Sequence, residues 1–141
     1  MLKDMAHRNA SAVIFSAKQT PDVKMEVIEK KKTGKNFYRI RVRLTNTSAM
    51  PSMSYHAQNK NIYPKDMLKL SGQKITVKAG GEIKNIYRNE VSYREYRPEL
   101  QFLAVPGFGK VEYQFLVSGS GSVRISYTSR HAGKISQTIK L

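Results

Sequence analysis

From Tyr38 to Leu44 the chain reads YRIRVRL, with Ile40, Val42 and Leu44 alternating strictly with Arg39, Arg41 and Arg43. A repeat of two is the side-chain period of a β-strand, and it sends all the apolar residues to one face. The same period recurs in Val23, Met25 and Val27, in Val111, Tyr113, Phe115 and Val117, and in Val123, Ile125 and Tyr127. A chain built on such runs predicts an all-β fold of half-buried antiparallel strands.

Turn chemistry arranges the runs. The segment EKKKTGKN separates the first two and predicts a hairpin. Centred on Thr33-Gly34, that hairpin sets Val27 against Ile40, Met25 against Val42, Val23 against Leu44, and Glu26 opposite Arg41. Ser118–Ser122 (SGSGS) and then SRHAGK link 111–117, 123–127 and 135–141 into an expected three-strand meander. Shorter strands are expected at 74–78, 82–87 and 100–105, with Gly80-Gly81 as a tight link between the first two. About seven short strands predict a two-sheet sandwich of immunoglobulin or fibronectin-III type, with a barrel as the alternative. Residues 45–70 read as an irregular middle with a helical turn near 57–60. Residues 1–20, ended by Pro21, read as a connecting segment: a weakly amphipathic helix on Leu2, Met5, Ala6, Asn9 and Val13, or a strand over 12–17. The sandwich domain is then 21–141.

Composition bounds the function. At 141 residues, 40% hydrophobic, with eight tyrosines and five phenylalanines, the chain can bury one core. It has no cysteine, which excludes disulfides, cysteine-ligated zinc and thiol nucleophiles. The net charge of +15 favours association with nucleic acid, anionic lipid or acidic polysaccharide without choosing among them. No apolar run is long enough to span a membrane as a helix. The N-terminus lacks a signal peptide, since Ala12–Phe15 is too short an apolar stretch and Asp4 stands where basic residues belong. The expected location is cytoplasmic if the chain is complete, and secreted or periplasmic if it is part of a longer protein.

No catalytic constellation stands out. None of His7, His56 and His131 has a second histidine within a helical turn, and only His7 has a carboxylate there (Asp4), one short of a ligand set, so no metal ligands are nominated. Ten acidic residues are scattered among lysines and arginines. The serines lack a nucleophile elbow. Gly107-Phe108-Gly109-Lys110 lacks the spacing of a phosphate loop and reads as a turn. An enzyme would need Glu90, Glu95 or Asp66 gathered with His56 in a deep pocket. The expectation is no cofactor, no metal and no catalysis.

Binding candidates are clearer. In Tyr87–Arg97, Arg88, Arg94 and Arg97 can meet phosphates while Tyr87, Tyr93 and Tyr96 stack on bases, although Glu90, Glu95 and Glu99 interrupt them. Arg39, Arg41 and Arg43 are candidate anion contacts too, but their spacing equally marks the wet face of a strand. In the corner after Leu44, Asn46 is expected to bond neighbouring backbone and Pro51 to stop ladder pairing. Met50, Met53, Tyr55 and Phe108 are the candidate apolar interaction surface.

The pieces Asn46–Ser52, Phe115–Val117, Gly119–Gly121, Val123–Ile125, Ser129–Gly133 and Ile139–Leu141 together resemble the C-terminal β-sandwich domain that follows the catalytic domain in some bacterial zinc carboxypeptidase-like proteins of the carboxypeptidase A superfamily. The resemblance spans most of the chain from Val23 onward. The peptidase's His-x-x-Glu motif is absent, because Ala10, Asn59 and Lys134 stand three residues after the histidines. The resemblance therefore implies a non-catalytic accessory module of an exported protein, with Met1 near a domain boundary. Its implied partners are the catalytic domain of the same parent chain and an anionic polymer or cell envelope. A free-standing basic nucleic-acid-binding protein is the alternative.

Overall fold

The alternation from Tyr38 to Leu44 does form a strand, and its inward residues Ile40, Val42 and Leu44 are completely buried. In the computed structural model, which describes residues 1–141, the order is α1 (Leu2–Lys18), β1 (Val23–Gly34), β2 (Phe37–Asn46), α2 (Tyr55–Lys60), β3 (Asp66–Ser71), β4 (Ile75–Asn85), β5 (Glu90–Tyr93), β6 (Leu100–Leu103), β7 (Lys110–Gly119), β8 (Ser122–Ser129) and β9 (Gly133–Lys140). All strand pairs are antiparallel. They make a five-stranded sheet, β1-β2-β7-β4-β5, and a four-stranded sheet, β6-β3-β8-β9. The fold is an immunoglobulin-like β-sandwich. Its core lies between Ile40, Val42, Leu44, Phe115 and Val117 on one sheet and Leu68, Leu70, Val123, Ile125 and Tyr127 on the other.

Nine strands replace the expected seven or so. β3 lies inside the expected irregular middle, where Leu68 and Leu70 alternate over too short a run to stand out beside Pro64. β5 is a four-residue edge strand with no buried side chain. The helical turn near 57–60 is the longer α2, capped by Ser54, whose Oγ accepts a hydrogen bond from Ala57 N at 3.2 Å.

The first hairpin exists with a different register. The turn falls on Lys35-Asn36, with Asn36 at φ +60°, and a bulge interrupts the ladder between Val27 and Glu29. Val27 therefore faces Val42, Met25 faces Leu44 and Val23 faces Asn46. Glu26 lies opposite Arg43, and it is Glu29 that lies opposite Arg41. The lysine-rich stretch that reads as loop extends the strands, because asparagine tolerates the left-handed conformation the turn needs.

Gly80-Gly81 is not a turn. Both lie inside β4, which runs unbroken from Ile75 to Asn85 with a bulge between Val77 and Ala79. A Cβ on Gly80 would sit 2.8 Å from Phe115 Cδ1 and overlap the Pro98 carbonyl oxygen. Glycine is there for close approach. The expected meander is also corrected. β7 belongs to the five-stranded sheet, whereas β8 and β9 form a hairpin in the four-stranded one. The SGSGS segment is the crossing between sheets, and Gly119 makes it at φ +128° with its N–H donating to Asn36 O at 2.9 Å.

α1 is a helix throughout, so the strand alternative for 12–17 falls. Four alanines and no glycine or proline favour it. None of its residues is buried. Its C-terminal end is tied down by Met50 N, which donates to Gln19 O at 3.2 Å.

Candidate functional site

The three arginines of β2 project from the five-stranded sheet into a lattice of acceptors. Arg39 Nη2 lies 2.6 Å from Glu29 Oε1, and Arg41 Nη1 lies 3.1 Å from Glu29 Oε2. Arg41 also donates to Gln114 Oε1 (2.9 Å) and Asn89 Oδ1 (2.6 Å). Arg43 Nε is 2.7 Å from Glu112 Oε1. The hydrogen bond from Arg39, backed by the charges of Arg41 and Arg39, holds the Glu29 carboxyl below the usual carboxylate value despite the opposing effect of desolvation. Each of these arginines is already held by a carboxylate, the three sharing Glu29 and Glu112.

Arg88, Arg94 and Arg97 do not converge. Arg88 is exposed on the turn between β4 and β5, beside the fully open Tyr87. Arg94 donates to Leu100 O at 2.9 Å, and its guanidinium lies over the Phe102 ring, 5.0 Å from the centroid. Arg97 sits at φ +50° and pairs with Glu99 at 3.4 Å. Tyr96 is exposed, and the half-exposed Tyr93 accepts a hydrogen bond from Gln114 Nε2 at 2.7 Å.

The corner after β2 is a latch. Asn46 is buried, its Oδ1 accepts from Asp22 N (3.2 Å) and Ser48 N (3.1 Å), and its Nδ2 donates to Met50 O (2.7 Å). Pro51 follows on the surface. Met50, Tyr55 and Phe108 are exposed, but Met53 is 1% exposed and leaves the candidate interaction surface. The reason is Ser52, which exchanges hydrogen bonds with Val105 in both directions and draws the chain inward at this point. Phe108 N donates to Ser48 O at 2.9 Å, so Met50 and Phe108 belong to loops joined at one end of the sandwich, where α1 also enters.

The open face of the four-stranded sheet is different in kind, and the sequence reading missed it. Pairing places Met67, Thr128 and Lys134 in one row, Lys69, Ser126 and Ser136 in the next, and Ser71, Arg124 and Thr138 in a third. Lys69, Arg124 and Lys134 border an open hollow of about 350 Å³ with Ser71, Ser126, Thr128 and Ser136. None of these cations forms an ion pair. The lining contains no carboxylate. The one acidic residue of β3, β8 and β9, Asp66, is buried and accepts a hydrogen bond from Tyr127 Oη at 2.8 Å. Burial foremost pushes the Tyr127 phenol above its ordinary value. The signal in the sequence was the outward half of β8 and β9, which alternates cations with hydroxyls and holds no acid.

The acids and histidine that an enzyme reading requires stay apart. Glu90, Glu95 and His56 are exposed, Asp66 is interior, and no three acidic or histidine side chains gather. No helix is long and apolar enough to cross a membrane.

A family model described as Domain of unknown function (DUF8731) matches residues 22–140. No curated protein matches. Among solved structures, the chain is similar to the GAE domain of GGA2p from Saccharomyces cerevisiae, at 14% identity and a TM-score of 0.45, over 87% of this chain and 90% of that one.

Proposed function

The chain belongs to the DUF8731 family, and from that premise we propose that it is a non-catalytic interaction module that binds an anionic polymer or surface through the open face of its four-stranded sheet. One observation carries this reading: the arginine row of one sheet is met by carboxylates, and the cation cluster of the other is not. On the five-stranded sheet, Arg39, Arg41 and Arg43 are met by Glu29 and Glu112. On the four-stranded sheet, Lys69, Arg124 and Lys134 have no carboxylate partner and stand among hydroxyls. Unpaired cations on an open face gain by displacing the counterions of a polyanion, and hydroxyls add directional hydrogen bonds. Cations already bonded to carboxylates must first give those bonds up.

The test compares the two faces. Replacing Lys69, Arg124 and Lys134 by Gln should remove most binding to a polyanion such as heparin, followed by calorimetry. Replacing Arg39 and Arg43 by Gln should leave it nearly intact. Equal losses from both sets would overturn the reading.

We place this module, on the resemblance of its corner and closing strands, beside a zinc carboxypeptidase-like domain of an exported parent chain. The exposed Met50 and Phe108, at the end where α1 enters, and the exposed Tyr55 give such a domain apolar surface to rest on. Sequencing the gene upstream of Met1 tests this part. A frame continuing into a domain with His-x-x-Glu and a later His supports it, and a stop codon ahead of Met1 removes it.

A further inference from the structure

The open basic face continues into an apolar hollow, and that continuation narrows its ligand. Phe102 on β6 pairs across to Met67 on β3, which pairs to Thr128 and then Lys134. One row thus passes from an aromatic ring to an unpaired cation over three strand spacings, about 14 Å. At its apolar end lies an open hollow of about 680 Å³ lined by Ile62, Tyr63, Pro64, Met67 and Phe102 among others. Phe102 is 48% exposed.

Two rings of this hollow are each backed by a guanidinium. Arg94 lies 5.0 Å from the Phe102 centroid, tethered by its bond to Leu100 O. Arg130 lies 5.3 Å from the Tyr63 centroid, and His131 meets that ring edge-on at 5.2 Å. Neither arginine is paired with a carboxylate. A cation over a ring holds it in place and keeps positive charge beside a flat apolar surface.

A polyanion without rings would use only the cations of this face. A ligand that alternates planar π-faces with anionic groups would use all of it, and its rings must be unpaired to reach the hollow. We infer that this face binds single-stranded nucleic acid, with bases stacked at Phe102 and Tyr63 and phosphates passing over Lys69, Arg124 and Lys134. This rests on the anionic-polymer reading above and adds the ligand class to it. The stretch Tyr87–Arg97 suits such a strand less well, because Glu90 and Glu95 lie among its tyrosines and Glu99 follows them.

The test uses the full chain with fluorescein-labelled oligothymidylate, inorganic polyphosphate and heparin as probes, and the variants Phe102→Leu and Tyr63→Leu. Leucine keeps apolar volume and discards the ring. Each variant should weaken oligothymidylate binding at least about fivefold, the lower end of one base stack, while polyphosphate binding stays unchanged. Phe102→Trp, which keeps a π-face, should retain oligothymidylate binding. Ring variants that bind oligothymidylate like the parent overturn the inference. If Lys69→Gln, Arg124→Gln and Lys134→Gln then still weaken every probe, the anionic-polymer reading survives alone, and if they do not, both fall. Heparin binding that depends on the rings more than oligothymidylate binding does would also overturn it, in favour of an acidic polysaccharide.

Discussion

Tyr127 donates its phenolic hydrogen to Asp66 Oδ2 across 2.8 Å in the interior of the sandwich, and the other Asp66 oxygen has no partner. Both residues are almost fully buried, on adjacent strands of the four-stranded sheet. Tyr127→Phe would leave both carboxyl oxygens without a donor. A buried polar group deprived of its hydrogen bond costs about 1–3 kcal/mol, so Tyr127→Phe should lower unfolding free energy by about that amount in urea denaturation. An unchanged midpoint would mean that water reaches the Asp66 site.

Gly80 is set by backbone proximity. An added methyl group would overlap the Pro98 carbonyl oxygen and press on the Phe115 ring at the core. Neither can retreat cheaply, since Phe115 is fully buried and Arg94 N bonds to Gly80 O at 2.9 Å. Gly80→Ala should cost about 3 kcal/mol or more, read by thermal unfolding, although alanine is the smallest possible side-chain addition. Gly34→Ala is the control. Its Cβ would meet only Phe37 atoms at ordinary contact distance, so its melting temperature should stay near the parent's.

Glu29 holds Arg39 and Arg41 together, and this relationship carries a pH dependence. Its carboxyl is held below the unfolded value, foremost by the Arg39 hydrogen bond. The unfolded chain therefore binds more protons in this range. The stabilisation is present above the unfolded value of about 4.3 and is lost as pH falls through the folded value. Glu29→Gln should lose about 0.5–1 kcal/mol at neutral pH, in keeping with a partly exposed network. Parent and variant should converge in acid. A constant gap between pH 7 and pH 3 would show that charge is not the source.

How far the sequence could be read depended on whether a signal was local. The run Tyr38–Leu44 announced its strand because period two was unbroken, and the corner at Asn46 was legible because asparagine has few other uses before such a turn. The hairpin register was not, since the bulge after Val27 and the left-handed Asn36 depend on where the sheet closes. Gly80-Gly81 looks the same in a turn as in a strand pressed by a neighbour, and only the neighbour, Phe115, decides. The arginine row drew attention as the densest run of charge, yet its partner Glu29 sits ten residues away and Glu112 almost seventy from Arg43. The open face of β3, β8 and β9 was missed for the opposite reason. Arg124 and Lys134 lie on runs whose lack of acid is visible in the sequence, but Lys69 is far from both, and only strand pairing brings the three onto one face.

That absence has a thermodynamic signature. A cation that displaces a condensed counterion from a single-stranded polyanion contributes about −0.7 to the slope of log K against log salt. Lys69, Arg124 and Lys134 together should therefore supply about −2, and each single change to Gln should make the slope shallower by about 0.7. Arg39 and Arg43 already face Glu29 and Glu112, so their replacement should move the slope little. Fluorescence anisotropy of a labelled oligothymidylate over a sodium chloride series measures both quantities. The slope separates local contact from the general field of a chain with net charge +15. If every lysine or arginine change altered the slope equally, whichever face it lay on, the polyanion would be held by net charge alone. A loss confined to the four-stranded sheet would tie binding to the face on which Lys69, Arg124 and Lys134 stand with no acid beside them.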